Sequence, residues 1–153
     1  MPHRRLLKQM PLAEWIMATD LAQRTGLDQR ALDQHVHTLI KDGVPIGCCT
    51  RRGYCLFEVV DFIDQGALID MLKTSPLLKP GRLEVLDEVD STNTRLLNWP
   101  ELSEFHGRVC VTEFQMAGRG RHGKRWHGAR YRNTMLSLAW EWKIGRASCR
   151  ERV

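Results

Sequence analysis

The chain has 153 residues, 42% hydrophobic and 27% charged, with a formal net charge of +5. This is an ordinary composition for one globular domain or two small ones, without internal repeats or low-complexity tracts. No secretory leader is visible and no apolar stretch approaches the ~18 residues of a membrane span, so a soluble, cytoplasmic protein without membrane association is expected.

The first elements are helical. Residues 3–10 and 11–18 predict a helix that Pro11 interrupts or restarts. A second helix is expected from Thr19 and a longer one from Asp28 to Asp42, with Thr19 and Asp28 as N-caps and Gly26 in the turn between them. Leu32, Val36, Leu39 and Ile40 fall on one face of the longer helix, placed to pack on Leu21 and Ala22. Residues 44–50 and 53–58 then read as two short strands around Arg51-Arg52. Two helices at a tight turn followed by a hairpin form a winged helix-turn-helix pattern, assigned to residues 1–65.

In that pattern Gln29, Arg30, Gln34, His37 and Lys41 line the exposed side of the longer helix, and Arg51 and Arg52 tip the hairpin. Such side chains reach base edges and phosphates. Asp28, Asp33 and Asp42 on the same helix would oppose phosphate, and residues 1–66 balance eight Lys/Arg against eight Asp/Glu for a net charge of zero. Phosphate neutralisation dominates affinity for DNA. Two uses therefore stay open for this unit: DNA binding as a dimer on a paired site, or packing and dimerisation alone.

Residues 66–80 hold Pro76 and Pro80 beside a short helix candidate, Gln65 to Leu72, and read as a linker. Residues 82–89 predict a strand, and Asp90-Ser-Thr-Asn93 is a cap-forming cluster that opens a helix. Two β-rich runs follow, 108–115 and 134–142, the second expected to present an unpaired apolar edge. Residues 144–153 lack periodicity and read as a non-native tail. The five cysteines, at positions 48, 49, 55, 110 and 149, form no CxxC pair. Reduced thiols are expected, and no metal site.

Between the two β-rich runs lies Glu113 to Trp126, EFQMAGRGRHGKRW, with Gly118, Gly120 and Gly123 interleaved with Arg119, Arg121, Lys124 and Arg125. Each glycine inside a regular element costs roughly 0.5–1 kcal/mol relative to alanine, so the stretch reads as a loop. Residues 108–132 carry seven Lys/Arg against Glu113 alone, a net +6. A cationic glycine loop brings backbone N–H groups and guanidinium forks to an anion. Gly118-x-Gly120-x-x-Gly123 resembles a dinucleotide fingerprint, and Gly118-x₄-Gly123-Lys124 most of a P-loop. Both motifs must open a helix, and the residues after Arg125 have no helical period; Arg125 also stands where the P-loop needs Ser or Thr.

VDSTN (Val89–Asn93) paired with EFQMAGRGRHGKRW, behind an N-terminal winged helix, resembles the biotin protein ligases, and specifically the bacterial bifunctional type that also represses the biotin operon. The resemblance covers residues from about 3 to 142. It implies an α+β chain in which residues 81–143 form the N-terminal part of a class II synthetase-like α/β catalytic domain. It also implies ATP and biotin as substrates, with Mg²⁺ accompanying ATP, and a biotin carboxyl carrier protein, operator DNA and a second copy of the chain as partners.

By the match, Ser91, Thr92, Asn93 and Gln115 line the pocket for biotin's ureido ring. Arg119, Gly120 and Arg121 lie on the carboxylate and phosphate side, with both arginines catalytic, and Gly118, Arg121 and Trp126 serve the nucleotide. A carboxylate and a phosphate oxyanion about 4 Å apart repel by about 4 kcal/mol at an effective dielectric near 20, which fixed guanidinium groups cancel. The family's further motif, a lysine beside Trp-Pro-Asn-Asp, has no counterpart here. The resemblance thus implies an N-terminal fragment with little ligase turnover. A winged-helix regulator without ligase activity, or a nonspecific nucleic-acid binder acting through the +6 stretch, are the alternatives.

Overall fold

The structure, a computed structural model, describes residues 2–73, 81–100, 106–120, 122 and 124–141. Its first unit comprises α1 (Pro2–Gln9), β1 (Trp15–Ile16), α2 (Ala18–Thr25), α3 (Gln29–Lys41), β2 (Ile46–Cys49) and β3 (Gly53–Leu56). A linking helix, α4 (Gln65–Leu72), follows. The second unit comprises β4 (Leu83–Leu86), α5 (Thr92–Leu97), β5 (Arg108–Thr112) and β6 (Met135–Ala139). The chain is α+β, with two small three-stranded sheets.

Helices α1–α3 close over one core in which Leu6, Leu21, Leu32, Val36 and Leu39 are fully buried. The spacing of Leu32, Val36 and Leu39 puts them on one face of α3, as expected. Ile40 differs: it lies 37% exposed, rotated off that stripe. Asp28 caps α3 by accepting from the Ala31 N–H at 2.8 Å. Gly26 ends α2 in the left-handed region, φ 70°, where a side chain would be strained. Thr19 is not a cap. Helix α2 starts one residue before it, with Met17 in the N-cap position and no side-chain cap.

Residues 11–18 also depart from the helical expectation. Pro11 stops α1, and the chain turns extended so that Trp15 and Ile16 pair antiparallel with Cys55 and Tyr54. The sheet order is β1-β3-β2, the β2–β3 hairpin running from Ile46↔Leu56 to Cys49↔Gly53. Gly53 has φ +85°, and a Cβ there would meet the Ile16 carbonyl oxygen at 2.0 Å, so only glycine fits.

Helix α4 forms where expected, capped by Asp64 accepting from Ala67 N–H, and buries none of its side chains. In the second sheet, β4 pairs parallel with β5 and β5 antiparallel with β6. Helix α5 covers one face, packing Leu96 against Cys110 and Ala139. The period of two on β6 turns Met135, Ser137 and Ala139 to that side and leaves Leu136 and Leu138 exposed on the other. One edge of β6 is therefore paired, and the other has no strand among the described residues. The tail at 144–153 lies outside them.

Candidate functional site

Beyond β4 and β5 the two segments continue side by side. Val89 N–H donates to the Phe114 carbonyl at 3.1 Å and Met116 N–H to the Val89 carbonyl at 2.9 Å. Ala117 N–H donates to Asp90 at 2.8 Å. This zipper places the start of α5 against the residue that opens the glycine loop.

Ser91, in extended geometry, caps α5 by accepting from Thr94 N–H at 3.4 Å. The Oε1 atom of Gln115 accepts from Thr92 N–H at 2.9 Å and from the Thr92 hydroxyl at 3.3 Å. Thr92 Oγ1 also lies 2.8 Å from Ser137 Oγ on β6. A helix start, a loop entrance and a strand centre are thereby tied into one polar cluster.

The cluster floors a cleft of about 390 Å³ lined by Ser91, Thr92, Asn93, Gln115, Arg119, Trp126 and the strand segment Thr134–Ser137. Six residues singled out from the sequence thus meet at one opening. Sequence reasoning missed Thr134, Met135, Leu136 and Ser137. Ser137 carried a signal: it is the one polar residue on the inward side of β6.

The glycine loop is a narrow hairpin. Arg119 and Arg125 pair antiparallel, Gly120 N–H donates to the Lys124 carbonyl at 2.6 Å, and Trp126 N–H donates to Gly118 at 2.8 Å. Gly118 is buried, and a Cβ on it would lie 3.2 Å from Trp126 Cβ and 3.3 Å from Gln115 Nε2. The close approach of Trp126 and Gln115 explains the glycine there. No helix follows the loop among the described residues, which separates it from phosphate loops that open helices.

The cations divide. Arg125 donates to the Met116 carbonyl at 2.8 Å and so braces the hairpin. Arg119 is exposed on the cleft rim. Arg121 and Gly123 lie outside the described residues. Trp126 is 55% exposed, which excludes a core role for its ring. Gly120 sits in the hairpin rather than on the cleft wall.

Glu113, the lone acid of the basic stretch, is buried away from the cleft. Its carboxylate accepts from Ile63 N–H and pairs with Arg4 at 2.8 Å. Burial pushes its pKa up, against the opposing pull of the Ile63 N–H and Arg4.

In the first unit Gln29, Arg30, Gln34, His37 and Lys41 are all exposed along α3, and Arg51 and Arg52 are exposed at the hairpin tip. The helix's acids are engaged within the protein. Asp28 is the cap, Asp33 accepts a short hydrogen bond from the Tyr54 hydroxyl, and Asp42 pairs with Arg130 at 2.8 Å.

The profile of the Biotin/lipoate A/B protein ligase family matches residues 85–149. The chain is 31% identical over 144 residues to the bifunctional ligase/repressor BirA of Salmonella typhimurium, covering 94% of this chain and 42% of that protein. It is 29% identical over 145 residues to the Escherichia coli protein of the same name, covering 94% and 43% respectively. The Bacillus subtilis protein so named is 25% identical over 125 residues, 82% of this chain and 38% of its own length. The chain thus spans less than half the length of these relatives. With the matched profile lying over the cleft-bearing sheet and the relatives aligned across both units, the chain belongs to the biotin protein ligase family.

Proposed function

We propose that the cleft at the start of α5 binds biotin and that the glycine–arginine hairpin holds its activated form, biotinyl-adenylate. The observation that carries this reading is the convergence of Ser91, Thr92, Asn93, Gln115, Arg119 and Trp126 on one opening. A small neutral ring with urea-type donors and acceptors suits a floor made of hydroxyls and carboxamides. Arg119 on the rim, with Arg121 two residues on in sequence, suits the carboxylate and the α-phosphate, and Gly118 and Trp126 the nucleotide.

In the proposed first step a biotin carboxylate oxygen attacks the α-phosphorus of ATP, and the bond to pyrophosphate breaks. In the second, a lysine amine of a biotin carboxyl carrier protein attacks the acyl carbon and AMP leaves. The arginines' work is to cancel repulsion between two anions, and the hairpin's is to exclude water from a hydrolysable anhydride. Mg²⁺ would arrive on the phosphates of ATP and supply charge neutralisation there.

We read residues 1–65 as a winged helix-turn-helix unit, 66–80 as the linker and 81–143 as the ligase part. The exposed side of α3 and the Arg51-Arg52 tip support an operator-binding role for a dimer, and the name ligase/repressor carried by the relatives fits a repressor role. The internal engagement of Asp28, Asp33 and Asp42 favours this use over packing alone.

Calorimetry with biotin and with biotinyl-adenylate tests the cleft. Binding of both is expected, with Arg119→Ala weakening the adenylate at least tenfold, about 1.4 kcal/mol, and biotin less. An adenylate affinity unaffected by Arg119→Ala overturns the assignment of the rim.

A further inference from the structure

Downstream of the hairpin the chain does not return directly to the second sheet. It first dips into the helical unit. Arg130 N–H donates to the Asp42 carbonyl at 2.8 Å, and Arg130 Nε meets the Asp42 carboxylate at 2.8 Å, both at the C-cap of α3. Arg130 Nη2 pairs with Glu88 at 2.7 Å, and its guanidinium lies 4.2 Å from the Phe114 ring centroid. Glu88 directly precedes Val89–Asn93, and Phe114 directly precedes Gln115. One guanidinium, on a residue 3% exposed, thus touches the end of α3 and the two strand extensions that carry the cleft floor.

The next residue fixes the arrangement. Tyr131 is 4% exposed, belongs to the core of α1–α3, and meets Phe62 edge-on at 5.0 Å between centroids. Its backbone is left-handed, φ 59°, a region that bulky residues leave unless their surroundings hold them there. A planar fork held by two carboxylates and a ring has one geometry, unlike a flexible ammonium.

We propose that Arg130 is a positioning residue through which the C-terminus of α3 sets the geometry of the cleft and of the glycine hairpin. The second unit does not hold Val89–Asn93 and the hairpin by its own sheet alone. The helical unit completes the support, so occupancy of the cleft and ordering at the end of α3 are coupled. The ligand-dependent part rests on the biotin reading; the positioning does not.

Hydrogen exchange on the whole chain separates this from a merely structural ion pair. Asp42→Asn leaves every cleft-lining residue in place, and Arg130→Lys keeps the charge while losing the fork. Both are expected to speed exchange at Thr92, Met116 and Trp126, whose N–H groups are bonded across the site, by at least tenfold. Exchange at Leu32, in the middle of the first unit, is expected to stay within twofold. Unchanged exchange at the three site amides overturns the proposal, as does an equal rise at Leu32, which marks general loosening.

Biotin added to the wild-type chain is expected to slow exchange at Gly43 and Val44 beyond the end of α3, because coupling is reciprocal. Calorimetric binding without that slowing overturns the coupling. Absence of biotin binding defeats the ligand reading alone, leaving the variants' exchange to judge the positioning.

Discussion

Thr92 and Gln115 are bonded twice, the Gln115 Oε1 accepting both the backbone N–H and the hydroxyl of a residue that is itself buried. Because Thr92 N–H lies at the helix start, no carbonyl of α5 can satisfy it, and the side chain of Gln115 does so from another segment. Gln115→Leu is expected to leave that donor orphaned and to destabilise the chain by about 1–3 kcal/mol. Gln115→Glu keeps an acceptor there and is expected to retain most of the stability. Urea unfolding of the two variants distinguishes the orphaned donor from a simple change of side-chain bulk.

His3 and His35 share a hydrogen bond at 3.1 Å between α1 and α3. Burial, the Arg130 charge and His35 lower the His3 pKa below its ordinary 6.5, while Glu88 and Asp42 partly offset this. The folded chain therefore binds this proton less readily than the unfolded one. Its contribution is present above pH 6.5 and is lost as pH falls from 6.5 towards the lower folded value. Tm is expected to fall between about pH 7.5 and 5.5, and His3→Gln to flatten that part of the profile. A profile identical in the variant would show that other groups carry the dependence.

Leu39 and Ile40 are neighbours with opposite fates, fully buried and 37% exposed. Leu39→Ala removes packing from the centre of the first core and is expected to lose about 2–5 kcal/mol. Ile40→Ala is expected to lose under about 1.5 kcal/mol, since much of its surface is already in water. Thermal melts of the two variants read the difference.

The thiols should separate by reactivity. The N–H groups of Arg51 and Arg52, together with the Arg52 charge, lower the Cys49 pKa, whereas burial and nearby Asp33 raise that of Cys48. Burial, with Glu84 beside it, pushes Cys110 up to about 11, and Cys55 is buried in the small sheet. Because the thiolate is the nucleophile, iodoacetamide near neutral pH is expected to label, among the four described thiols, Cys49 first, Cys48 next, and Cys55 and Cys110 only on unfolding. Peptide mapping at timed intervals gives the order.

Much of this protein was legible as local pattern. The apolar spacing of Leu32, Val36 and Leu39, the caps at Asp28 and Ser91, and the glycine at 26 name helices and their ends, because helix signals are contained within a few residues. The cleft residues were legible in kind, as a cap cluster and a cationic glycine loop. The short strand at Trp15–Ile16 was not, since its partner Tyr54-Cys55 lies about forty residues away, and pairing rather than propensity makes it extended.

Tertiary structure alone decided the rest. Nothing local says that Thr92 finds its acceptor in Gln115, that Ser137 joins them, or that Glu113 faces Arg4. Nor does the run of cations from Arg119 to Arg132 reveal that Arg130, alone among the described ones, is buried between two carboxylates and a phenyl ring. A sequence carries the chemistry of each side chain and the period of each short element. Which distant groups neutralise one another is settled only when the chain closes on itself, because an ion pair depends on separation in space.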